Sequence, residues 1–200
     1  MTPTATPVTY GLDASIARFS VARYQRMIET GILTTEDKVE LLENYVVLKM
    51  PRNPPHDGTI QIVEEALAPR IPRDWRLRIQ LTVVVSDSQP EPDFAVVRGT
   101  ARSYLSRHPE PSDVGMVVEV ADSSLLRDRG DKTRIYARAG IAVYWIVNLV
   151  DRRIEVYSQP SGSVAVPSYS SFQVYRPGDA VPLVLDGVAV DSIPVAELLP

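Results

Sequence analysis

The chain has 200 residues, 44% of them hydrophobic, a formal net charge of −4 and no cysteine. That length buries a core within one domain, and the missing cysteines exclude disulfides, a thiolate nucleophile and a cysteine-bound zinc. The acidic balance, with a pI near 5.3, argues against a uniformly basic nucleic-acid coat protein and leaves room for a local basic groove.

The opening MTPTATP lacks the basic start and apolar middle of a secretory leader, and a flexible tail is expected over residues 1–19, with one domain over 20–200. The longest apolar runs, TVVV and AVYWIV, are far shorter than the roughly 20 residues that cross a bilayer. A soluble cytoplasmic protein of bacterial type, without membrane contact, is the expectation. Ser20 caps a predicted helix over 21–30, with Val21, Tyr24, Met27 and Ile28 at helical spacing and Gly31 after its end. VELLENYVVLKMP reads as two strands around a turn at Glu43–Asn44. After the breakers PRNPPHDG, Ile60, Val63 and Leu67 mark one face of a second helix ending near Pro69.

From Trp75 the strand signal dominates. RLRIQLTVVV predicts a strand or strand pair, FAVV follows a proline-rich turn, and GMVVEVA is an apolar run broken only by Glu119, as in a strand buried on both faces. DRGDKTRIYARAG predicts a helix with Asp128 as N-cap, Asp131 at the capping-box position and Gly140 past its end. AVYWIVNL and RIEVYS are two more strands linked around Val150–Arg152. Short strands separated by Gly, Pro and Ser fill 160–200, with a last turn at PVAELL. The fold class is therefore α/β, or α+β: a mixed central sheet flanked by helices, with an added N-terminal helix and hairpin and a β-rich C-terminal segment.

Two segments are locally basic: residues 70–78 hold four arginines against one aspartate, and residues 127–138 hold four arginines and a lysine against two aspartates. Each reads as a solvated face or a phosphate-facing one. Asp93 and Glu119 carry more information, because each acid abuts or interrupts a strand that is otherwise apolar, and an isolated buried carboxylate is costly. From the residues alone two readings stand. Each acid pairs with an arginine, or the two share a hard divalent ion, held by one or two carboxylates with water and phosphate oxygens. Two histidines without cysteine argue against a zinc site. His56 reads as a structural residue opening the second helix, and His108 as loop.

EPD before an apolar strand, then VVEVADSS, then DRGDKTRIYARAGIAVYWIV, together resemble the PD-(D/E)XK nuclease superfamily, and more closely its Uma-two branch of restriction-endonuclease-like proteins. VELLENYVVLKMPRNPPHDGTI is similar to the same branch, and the likeness spans roughly residues 20 to 158. The resemblance implies a restriction-endonuclease-like core and a Mg²⁺- or Mn²⁺-dependent endonuclease acting on DNA. It makes Asp93 and Glu119 the catalytic acids and metal ligands, with the backbone carbonyl of Val120 a further ligand. The superfamily's lysine normally follows that acid by two residues, where Ala121 stands here. In the branch it comes from the next helix, which makes Lys132 the third catalytic residue. Glu40 becomes an additional acid on the hairpin and Tyr136 a phosphate contact or packing residue. Arg127, Arg129, Arg134 and Arg138 become candidates for DNA phosphates, and a homodimer fits cutting of both strands. Ala121 and the acidic net charge keep open a second class, a catalytically degenerate DNA-binding or assembly module. A structural or ligand-binding domain, its acids paired with arginines, is a third.

Overall fold

The computed structural model describes residues 17–200. The tail expected over 1–19 lies outside them except for its last three residues, of which Phe19 donates its N–H to the Asn44 carbonyl at 2.8 Å. Helix α1 (Val21–Glu29) starts at Ser20, whose side chain accepts from the Arg23 N–H. Strands β1 (Val39–Leu42) and β2 (Tyr45–Leu48) pair antiparallel. Their turn residues, Glu43 and Asn44, both have positive φ, of 48° and 68°, the backbone that a two-residue hairpin requires. Helix α2 (Pro54–Leu67) is capped by Asn53 and carries prolines in its first turn, where no N–H partner is lost.

Six strands form one mixed sheet in the order β3 (Trp75–Ile79), β4 (Phe94–Arg98), β5 (Val114–Ala121), β6 (Val143–Asn148), β7 (Arg153–Pro160) and β8 (Tyr169–Tyr175). Every neighbouring pair is antiparallel except β5 and β6, which run parallel. A parallel pair needs a crossover. Here it is a helical segment of three parts: α3 (Leu125–Arg127), a π-helical turn (Asp128–Lys132) and α4 (Thr133–Ala139), which ends at Gly140 with φ 76°. A separate hairpin, β9 (Ala180–Leu185) with β10 (Val188–Pro194), follows.

Alternation along the strands divides the core between the two faces of the sheet. Phe94, Val96, Met116, Val118, Val120, Trp145 and Val147 face α2 and the β9–β10 hairpin. Ala95, Val97, Val117, Ala121, Tyr144 and Ile146 face Ile135 and Tyr136 of α4 and the loop carrying Val83 and Val85. Glu119 falls between Val117 and Ala121 and so belongs to the α4 face. No helix among the described residues is long and apolar enough to cross a membrane.

Two local expectations change. RLRIQLTVVV is a strand only to Ile79, because Gln80 turns the chain at φ 53°. Beyond it, the Val83 and Val85 N–H groups bond to Pro90 and Ser88 within a loop, and both side chains are buried without joining the sheet. The crossover helix begins before Asp128, with Ser124 at its N-cap position. Asp128 is therefore no cap but lies within the π turn, and Asp131 pairs with Arg134 on the surface.

Candidate active site

The register of β4 on β5 sets Phe94 opposite Val118, so the next pair outward is Asp93 opposite Glu119. This is why two acids 26 residues apart meet. The Asp93 N–H donates to Glu119 Oε2 at 3.3 Å. The Asp93 carboxylate is held on both oxygens: Oδ2 accepts from the Val120 N–H at 2.9 Å, and Oδ1 from the Gln80 side-chain amide at 3.3 Å. In a strand, the N–H and C=O of one residue point to the same edge. The Val120 carbonyl therefore also looks toward Asp93, past the end of β4.

Lys132 and Tyr136 reach the same acid from the helix. The π turn stacks Asp128 and Lys132 on the inner side of the crossover helix, a local irregularity frequent at functional sites. The Lys132 ammonium donates to Glu119 Oε1 at 3.2 Å and to Glu40 Oε2 at 3.1 Å, bridging β5 to the β1–β2 hairpin. The buried Tyr136 hydroxyl donates to Glu119 Oε1 at 2.7 Å. Asp128 is buried too, with Oδ2 accepting from Ser124 at 2.6 Å. Glu40, Asp93, Glu119, Asp128 and Lys132 all line one cleft with His56, and each of these four acids and the lysine is less than a tenth exposed.

Four buried acids facing one buried ammonium leave an excess of negative charge. Burial raises the Glu119 pKa well above the usual carboxylate range, and Asp128 and Asp93 add to the rise against the pull of Lys132. Burial likewise pushes Asp128 up to about 6. Burial works against the Lys132 charge, but Glu119, Glu40 and Asp128 outweigh it and raise its pKa. The two ends of the Lys132–Glu119 contact are thus unequal. The ammonium is overcompensated and the carboxylate undercompensated, because one cation is shared among several acids.

Glu155 supplies the control within the same sheet. The register aligns Glu119 with Ile146 and Ile146 with Glu155, so both glutamates sit on the α4 face. Glu155 is fully buried, yet it is bonded by the Arg129 and Arg153 guanidiniums and by the Asn148 amide. Burial raises its pKa, but those donors prevail and bring it down to about 2. Arginine pairing, the alternative open for any buried acid here, describes Glu155 and not Glu119.

The other predicted residues separate. Tyr136 has no access to the cleft and buttresses Glu119 from behind. Arg127 lines the cleft and donates to the Leu48 carbonyl at 2.9 Å. Arg129 pairs with Glu155 and Asp151, while Arg134 and Arg138 both clamp Glu43; these three do not line the cleft, and their charge is already matched. Glu91 also lines the cleft and pairs with Lys49 at 2.6 Å. His108 lies in a loop bordering a different cavity. His56 faces the site: its Nε2 lies 3.3 Å from Asp93 Oδ2, and that contact raises its pKa against the effect of burial. Local reading missed His56 and Asp128 because helix-opening and capping roles account for both. The available signal was their place beside a proline-led helix start and in the first turn after the Glu119 strand.

Among the described residues, no group of three or more His, Asp or Glu side chains is arranged to hold an ion unaided. The donors that do meet in the cleft are the Asp93 and Glu119 carboxylates. Both are hard oxygens, and their charge suits a divalent ion that keeps water and substrate oxygens in its shell.

A model of the Uma2 family, described as putative restriction endonuclease, matches residues 21–192. No curated protein matches the chain. Among solved structures, a putative nuclease belonging to DUF820 from Anabaena variabilis aligns with a TM-score of 0.63 at 15% identity, covering 90% of this chain and 97% of that one. At that identity the likeness establishes the fold, a mixed sheet with flanking helices.

Proposed function

Because the chain belongs to the Uma2 family of restriction-endonuclease-like proteins, we propose that it is a divalent-metal-dependent endonuclease hydrolysing DNA phosphodiester bonds. The observation that carries this reading is the buried Asp93–Glu119 pair, short of positive charge, with Lys132 beside it in an open cleft. Asp93, Glu119 and the Val120 carbonyl would hold Mg²⁺ or Mn²⁺. When bound, such an ion acidifies a coordinated water and neutralises charge on the scissile phosphate.

The remaining work falls to the chain's own residues. Lys132 is held between Glu119 and Glu40. From there it would serve by charge and hydrogen bonding, orienting the attacking water and stabilising the phosphorane-like transition state. Glu40 fixes the ammonium from the opposite side. Asp128, buried beside the same ammonium, lines the cleft next to these groups. Tyr136 and the Asp93 N–H hold the Glu119 carboxylate, so little reorganisation accompanies the reaction. Arg127, at the cleft wall, would meet a backbone phosphate, which positions the strand without reading its bases. The place of action is then the cytoplasm, and a homodimer would bring one such cleft to each strand of a duplex.

The test is nicking of supercoiled plasmid with Mg²⁺ or Mn²⁺. Wild type relaxes the plasmid, EDTA stops it, and Asp93→Ala, Glu119→Ala and Lys132→Ala each lose at least about a hundredfold in rate. Activity surviving all three substitutions would refute the assignment. Wild-type inactivity on plasmid, linear and single-stranded DNA alike would favour the degenerate binding module that Ala121 keeps open.

A further inference from the structure

His56 opens into the cleft from the first turn of α2, where Asn53 accepts its backbone N–H at 3.0 Å and fixes its position. Its side chain is 13% exposed. Both ring nitrogens face carboxylate oxygens: Nε2 is 3.3 Å from Asp93 Oδ2, and Nδ1 is 3.4 Å from Asp57 Oδ1. An imidazolium, with two N–H groups, would donate to both; a neutral imidazole has a single N–H, and then one contact sets acceptor against acceptor unless a cation lies between them. Asp57 is largely exposed and stands on the side away from the cleft lining. Donation from Nδ1 to Asp57 leaves a bare Nε2 lone pair beside Asp93, the carboxylate–histidine arrangement that commonly orients metal-binding imidazoles.

His56 Nε2 and Asp93 Oδ2 lie 3.3 Å apart at the cleft wall, close enough that one cation could be held by both. We propose that His56 Nε2 is a ligand of the divalent ion in this cleft, beside Asp93 and Glu119. The site is then a mixed nitrogen–oxygen centre that selects Mn²⁺ over Mg²⁺, since imidazole suits the transition ion and not the hard alkaline-earth one. The proposal rests on the metal-dependent reading above. In the structure His56 touches Asp93 and not Glu119, so the ring would have to turn about its side-chain bonds for all three to share one ion.

The experiment is electron spin-echo envelope modulation on the full chain loaded with Mn²⁺, with binding of Mn²⁺ and Mg²⁺ measured in parallel. The sequence holds two histidines, and His108 borders a different cavity, so a nitrogen signal is assignable. Wild type shows modulation from a directly bound ¹⁴N, which changes to a ¹⁵N pattern in protein labelled only at histidine. His56→Ala and His56→Gln lose the nitrogen signal, and their Mn²⁺ affinity falls by at least about tenfold while Mg²⁺ affinity falls less. The labelled wild-type spectrum decides the question without any variant. Bound Mn²⁺ with oxygen ligands only, or nitrogen modulation persisting in both variants, overturns the His56 assignment and leaves the nuclease reading intact. Failure of wild type to bind Mn²⁺ at all removes the metal-dependent reading itself, and this proposal with it.

Discussion

Glu119 and Glu155 are both buried glutamates on one face of the sheet, and replacing each by glutamine separates a carboxylate awaiting a cation from one already satisfied. In metal-free protein at pH 8, Glu119 is being ionised against its surroundings. Its pKa is raised from 4.5 to about 8, so its contribution to stability is fully present below about pH 4.5 and is lost as pH rises through about 8. The penalty once it is ionised is up to about 5 kcal/mol, an upper bound because Lys132 is shared with Glu40. Glu119→Gln removes that penalty and forfeits one ammonium contact and the fit to the Asp93 N–H, for a net change between neutral and a gain of about 2 kcal/mol. Glu155 has the opposite sign. Held at about 2, it contributes stability above about pH 4.5 that is lost as pH falls through about 2. Glu155→Gln breaks a buried pair, which costs about 3–5 kcal/mol in full burial. Because Arg129 and Arg153 are a quarter to a third exposed, the expected loss is about 2 kcal/mol. Urea denaturation in EDTA at pH 8 reads both. A loss for Glu119→Gln as large as that for Glu155→Gln would refute the charge argument.

Arg127→Ala lowers the salt slope of DNA binding by about 0.9, the share of one phosphate contact. Arg134→Ala leaves that slope unchanged and instead costs about 1 kcal/mol of stability by loosening the Glu43 clamp, as DNA titrations over a salt series and urea melts would show. Gly115→Ala places a methyl group 2.6 Å from the Trp75 ring and 2.9 Å from Leu185, contacts that neither neighbour escapes freely. It lowers stability by about 1–3 kcal/mol, measured by calorimetry, and an unchanged melting temperature would contradict the packing.

Much of the fold is legible because local signals agree with one another. Ser20 and Asn53 cap the helices they precede, and Glu43–Asn44 form the turn that the flanking strands require. GMVVEVA is buried throughout, as its composition demands. The misreadings share a cause, since burial is decided by distant partners. TVVV has strand composition, but the left-handed Gln80 and the carbonyls of Pro90, Ser88 and Pro109 draw it into a loop. Asp128 looks like a cap until Ser124 takes that place and the π turn carries Asp128 inward. The site acids show the limit most clearly. VEV around Glu119 and IEV around Glu155 are the same local pattern. Only the tertiary placement of Arg129 and Arg153 around one, and of Asp93, Glu40 and Lys132 around the other, distinguishes a structural ion pair from an uncompensated one. The family resemblance points to Glu119, which composition and spacing alone do not separate from Glu155.

The central claim, that this acid cluster is short of one cation, is tested most directly by titrating Mg²⁺ into metal-free protein at pH 8 while following the melting temperature and the heat of binding. The account predicts saturable binding in wild type, with a melting temperature that rises with ion concentration as a native-state ligand requires, and loss of both effects in Asp93→Asn and Glu119→Gln. Wild type that neither binds Mg²⁺ at millimolar concentration nor gains stability from it, or variants that respond as wild type does, would contradict it.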